Sequence, residues 1–214
     1  GKFLHKVTGA HDLVETGPAT NRLIGWARVL VRGAAEREKP EGQRLAEYSD
    51  ARLPATARSL LAATPAEAPL MQLQIEFWAS KLRERLTADN PIVKKVLGRE
   101  SPEGLAQRLV AGTKLADPAE RKRLWDGGAA AIAASTDPLI VFVLDWDADA
   151  RALKTRYENE VDGPILRAQE RIVKARFRLD GASFYPDATG TLRLSYGRVA
   201  GWTYAGETVA PFTR

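Results

Sequence analysis

The chain has 214 residues, 44% hydrophobic and 28% charged, with a formal net charge of +5 and no cysteine. That composition is close to the globular average and allows one or two domains with a buried core, and it excludes disulfides, thiolate metal sites and a thiol nucleophile. Residues 137–214 carry 11 cationic and 11 anionic side chains, so the whole surplus (21 minus 16) lies in residues 1–136, interleaved with acids as in Arg37-Glu38-Lys39, a solvated-face pattern that argues against a nucleic-acid partner.

In chain order, Gly1-Lys2-Phe3-Leu4-His5 lacks the apolar core of a signal peptide. Helical spacing and breakers predict helices at residues 20–38, 43–63, 65–87, 91–98, 102–112, 118–126, 128–135 and 138–179, the last kinked near Gly163-Pro164. Asn90-Pro91, Ser101-Pro102, Asp117-Pro118 and Asp137-Pro138 each place a capping side chain before a proline whose missing N–H is harmless at a helix start. Thr64-Pro65-Ala66-Glu67 has the spacing of a capping box. Gly98, Gly112 and Gly127-Gly128 read as C-terminal stops.

Leu70, Leu73, Ile75, Phe77 and Leu82 are expected to line part of one buried face, and Leu105, Leu109 and Gly112 part of another. Ile165, Ala168, Ile172, Ala175 and Leu179 form a stripe suited to packing on another helix. Arg167, Arg171, Lys174 and Arg178 share a second face, expected to be solvated or paired with acids. The longest apolar run, Pro138 to Leu144, is far short of the ~20 residues of a membrane helix, so no membrane span is expected. After Asp180-Gly181 the pattern changes to period 2, predicting strands at about 190–202 and 207–212. The fold class is mainly α with a small C-terminal antiparallel β portion (α+β), divided into residues 1–180 and 181–214, with Asp180-Gly181-Ala182 as a hinge.

A Ser-His-Asp relay needs an imidazole within hydrogen-bond reach of a hydroxyl and an acid behind it. The two histidines, His5 and His11, lie in a Gly-flanked N-terminal stretch, and no serine has a G-x-S-x-G surround. Ser183 and Ser195 are expected to carry structural hydroxyls. Asp145, Asp147 and Asp149 have the spacing of a calcium loop, but Ala150 and Arg156 stand where glycine and glutamate are needed; Asp147 or Asp149 is expected to cap a helix instead. Gly112-Thr113-Lys114 lacks the order of a phosphate loop and is expected to be a plain loop. No catalytic residue, metal ligand or cofactor is expected in this chain, and substrate-contacting residues are not assigned.

The stretch from Phe184 to Trp202, FYPDATGTLRLSYGRVAGW, resembles the signature that opens the second β-barrel of the family S46 serine dipeptidyl peptidases. The match runs through Tyr185, Pro186, Asp187, Ala188, Thr189, Thr191 to Gly197, Val199 and Gly201. The run from Arg28 to Leu53 is similar to the family's RLAVERxKPDxxR…GYQERDL stretch at Glu36, Lys39, Pro40, Arg44, Tyr48, Asp50 and Leu53. Tyr157 to Phe177 is similar to its long helix ending in KARF.

The resemblance implies a chymotrypsin-like double-barrel enzyme whose helical insert lids the active site. This chain would be most of that lid plus the first, truncated strands of the second barrel. The resemblance further implies dipeptide release from free peptide N-termini, a triad lying outside this chain, and a periplasmic or cell-surface location. It implies the rest of the catalytic barrels and peptide substrates as partners and leaves room for a homodimer. Asp187 and Arg193 would then serve the strand corner. The competing expectation is a non-catalytic helical interaction domain.

Overall fold

Each of the four capping residues that precede a proline starts a helix. Asn90, Ser101, Asp117 and Asp137 accept from the backbone N–H of Ile92, Gly104, Ala119 and Leu139, respectively. They open Pro91–Leu97 (α6), Pro102–Gly112 (α7), Pro118–Ala133 (α8) and Pro138–Tyr157 (α9). These are preceded by Lys2–His11 (α1), Gly17–Ala19 (α2), Arg22–Arg37 (α3), Leu53–Leu61 (α4) and Ala68–Leu86 (α5), and followed by Gly163–Asp180 (α10). The computed structural model describes residues 2–181 and 196–212, and the chain divides into two units, residues 1–168 and 169–214.

The first unit is a helical bundle. Its core is built on Ile24, Ala27 and Leu30 of α3, Ile75 and Leu82 of α5, Leu105 and Leu109 of α7, and Leu139 and Val143 of α9. Trp78, Phe142 and Trp146 form an aromatic trio with ring centroids 5.9–6.3 Å apart. Gly112 is needed for close approach, since a Cβ there would lie 2.8 Å from Pro138 Cγ. Asn21 caps α3 through Ile24 N–H and, nearly fully buried, donates to Met71 O at 2.9 Å, tying α3 to α5.

Several expectations are corrected. The stretch 43–63 is not one helix but two 3₁₀ turns, Glu41–Gln43 and Ala46–Tyr48, followed by α4. The Glu36 carboxylate accepts the Leu45 N–H and holds that backbone out of helical register. Thr64 caps nothing: α5 begins at Ala68, with Glu67 extended before it and Pro69 in its first turn. The buried face of α5 is Met71, Ile75, Trp78, Ala79 and Leu82, while Leu70, Leu73 and Phe77 are exposed. The break expected at Gly127-Gly128 is present within α8: Gly128 is non-helical at φ 57, and the helix resumes beyond it to Ala133. Asp147 and Asp149 cap no helix; both lie inside α9.

The kink expected at Gly163-Pro164 takes an unforeseen form that occurs twice. His11 is followed by Asp12–Thr16 and then Gly17-Pro18; Tyr157 is followed by Glu158–Asp162 and then Gly163-Pro164. Both five-residue segments are π-helical turns. A proline inside an α-helix lacks a donor and clashes with the carbonyl four residues back. Widening the turn removes the conflict: Gly17 N–H reaches Asp12 O and Gly163 N–H reaches Glu158 O, each five residues back. The aromatic residues leading into the two turns, His11 and Tyr157, stack at 4.0 Å with their planes 10° apart.

Among the described residues no residue of α10 is buried, and the stripe Ile165, Ala168, Ile172, Ala175 and Leu179 is exposed; on the cationic face Lys174 pairs with Glu170. The helix ends at Asp180, with Gly181 left-handed at φ 59. Trp202–Tyr204 (β1) and Glu207–Val209 (β2) pair antiparallel, Trp202 opposite Val209, around Ala205-Gly206, both with positive φ as a tight hairpin turn requires. Residues 196–201 form no strand, so the expected 190–202 strand is displaced at its described end. Ser183, Asp187, Arg193 and Ser195 lie outside the described residues. Among the described residues no single helix is long and apolar enough to cross a membrane.

Candidate functional site

A cleft of about 970 Å³ opens between α3 and the segment 47–60. Its α3 wall presents Trp26, Val29 and Arg32, spaced by three on one face. The opposite wall is shaped by a clasp. Pro40 follows α3 and disfavours helical geometry at Lys39. Arg44 then donates from Nε to Lys39 O at 2.8 Å and from Nη1 to Asp50 at 2.7 Å. Glu36 receives Lys39 Nζ and the Leu45 N–H. This brings Tyr48 against α3, where a Cβ on Gly33 would lie 3.2 Å from the phenol ring and 2.7 Å from Trp125. Glu36, Lys39, Pro40, Arg44, Tyr48 and Asp50, which carry one of the sequence resemblances, are therefore the residues that build this wall.

Behind the cleft runs a chain of buried charges. Glu15, presented by the first π turn, accepts from Arg28 Nη2 and takes Arg32 in a fork at 2.7 and 2.9 Å. Arg32 Nε donates to Asp147 at 2.7 Å; Asp147 also accepts from Arg151 Nε at 2.8 Å, and Arg151 Nη1 reaches Glu36 at 2.7 Å. With Lys39, four cations face three carboxylates. Burial raises the Glu36 carboxyl, but Lys39, the Leu45 N–H and Arg151 outweigh it and hold it at about 2. Burial works against Glu15 too, and its arginines still lower it. Burial alone would lower Arg32, but its two carboxylate partners raise it. Arg28 Nε and Trp146 Nε1 are buried without a hydrogen-bond partner among the described residues.

Arg121 closes the back of the site. Fully buried and without a carboxylate, it donates to Leu60 O and Ala62 O at the end of α4 and to Leu115 O and Ala116 O. Its guanidinium lies 3.8 Å from the centroid of Trp26, the floor of the cleft.

Among the described residues, the candidates for catalysis and metal binding are not assembled into a site. His11 is stacked on Tyr157, with Nδ1 3.6 Å from Asp12. Asp147 is committed to Arg32 and Arg151, and Asp149 to Lys95. Thr113 and Lys114 form a loop whose hydroxyl and N–H contact Asp137. No cluster of metal-ligating side chains occurs among the described residues. The buried network escaped the sequence reading, although a signal existed: Arg28, Arg32 and Glu36 recur every four residues among the apolar residues of α3, and Asp147 and Arg151 repeat that spacing in α9.

Two comparisons with known proteins bear on this geometry. The sequence profile of Peptidase S46 matches residues 4–214. A protein of Shewanella putrefaciens described as "Asp/Glu-specific dipeptidyl-peptidase" is 27% identical over an alignment of 209 residues that covers 93% of this chain. The chain spans 28% of that relative's length.

Proposed function

Because the chain belongs to peptidase family S46, we propose that it is the helical part of a serine dipeptidyl peptidase that releases dipeptides from free peptide N-termini. The observation that carries this reading is the lopsided coverage: nearly the whole chain aligns with little more than a quarter of a dipeptidyl peptidase. In this reading the bundle covers the active-site cleft and residues 181–214 begin the second barrel. The nucleophile and its base come from the rest of the parent protein, which would be exported. Acyl transfer from peptide to serine and then to water needs a hydroxyl, an imidazole and an oxyanion site in register. His11, stacked on a tyrosine beside Asp12, is unsuited to that role.

The test compares the purified 214-residue chain with its parent protein on dipeptidyl-coumarin substrates. Turnover by the parent and none by the chain is the expected result. Turnover by the chain that disappears on mutating one of its own residues would overturn the reading, and an inactive parent would favour a non-catalytic interaction domain.

A further inference from the structure

We propose that the cleft between α3 and residues 47–60 binds a carboxylate carried on an apolar body, the C-terminal end of a short peptide. The identity of that ligand rests on the peptidase reading; the chemistry rests on an imbalance of donors and acceptors. The lining carries Arg22, Arg28, Arg32 and Arg52 against Glu15 and Glu47. Both acids are engaged: Glu15 holds Arg28 and Arg32, and Glu47 receives Lys154 at 3.4 Å.

Two donors are not engaged. Tyr48 is 5% exposed and lines the cleft, yet its hydroxyl has no hydrogen-bond partner among the described residues. Burial, moderated by Arg32, pushes that phenol up to about 12, so it keeps its proton and is available as a donor. Arg52 is exposed at the rim, and its guanidinium forms no ion pair or hydrogen bond with the described residues. A guanidinium and a phenol facing one space suit the two oxygens of a carboxylate.

The rest of the lining sets what the carboxylate is attached to. Trp26, Val29 and Leu60 give the cleft an apolar floor, and a volume of about 970 Å³ is at the upper end of small-ligand sites. A free inorganic anion would leave that floor wet. A peptide end with an apolar side chain would cover it.

Calorimetric titration of the 214-residue chain tests this with acetyl-Leu-Leu, its C-terminal amide, and acetyl-Asp-Leu-amide. The free acid is expected to bind about tenfold more tightly than its amide, the worth of one charge-assisted contact, and more tightly than the side-chain acid. Arg52→Ala should erase the difference, Tyr48→Phe should narrow it, and Arg123→Ala, a distant exposed arginine, should leave it intact. Both cleft variants should keep the wild-type circular dichroism. Equal affinity for acid and amide, no binding of the acid, or a preference for acetyl-Asp-Leu-amide would overturn the proposal. Because no turnover is read, this result and the parent's dipeptidyl activity can fail separately.

Discussion

At the scale of single residues, stability is concentrated in the buried carboxylates. Asp147 holds Arg32 and Arg151 on its two oxygens, so Asp147→Ala leaves two guanidinium groups short of a partner and should cost ~3–5 kcal/mol in urea denaturation. A loss below 1 kcal/mol would mean the arginines find other partners. Glu36 makes a pH prediction. Its folded-state carboxyl is held at about 2 against an ordinary 4.5, so its contribution is fully present above the ordinary value and disappears as pH falls toward 2. That contribution is roughly 3 kcal/mol. Wild-type stability should fall steeply between pH 5 and 2, and Glu36→Gln should flatten the fall while being less stable at pH 7. An unchanged slope would refute the assignment.

At the scale of elements, the capping residues before proline differ in what they hold. Asp117 satisfies the first turn of α8, whereas Asp137 caps α9 and also binds the Thr113 hydroxyl and the Lys114 N–H. Asp137→Ala should therefore cost about 2 kcal/mol and Asp117→Ala about 1 by thermal denaturation; equal losses would remove the second role. These four starts were legible because capping is local chemistry. The Thr64 start failed because Pro69 offers a competing first turn. The buried face of α5 was misjudged because Leu70, Leu73 and Phe77 are as apolar as Met71, Ile75 and Leu82, so periodicity alone cannot choose between them. The π turns were visible only as Gly-Pro pairs, since a wider turn has no composition of its own. The cleft was not legible at all: its walls come from stretches whose meeting depends on Glu36 and Arg121 reaching across the bundle.

At the scale of the whole molecule, the +5 charge is spread through ion pairs such as Lys81–Glu84 and Arg123–Glu120. Duplex DNA binding, if measurable, should therefore lack the steep salt dependence of a phosphate-tracking surface; a log–log slope of several units would reveal a basic face. The charge chain from Glu15 through Arg32, Asp147 and Arg151 to Glu36 also limits how the sequence can drift. Any single neutral replacement strands a charge in the interior, while a joint exchange such as Arg32→Met with Asp147→Leu removes attraction and desolvation cost together. The pair should lose less stability than the sum of its single changes, by ~0.5–3 kcal/mol. Substitutions along this chain are thus epistatic: descendants of this sequence must cross a less stable intermediate or change two positions 115 residues apart in one step.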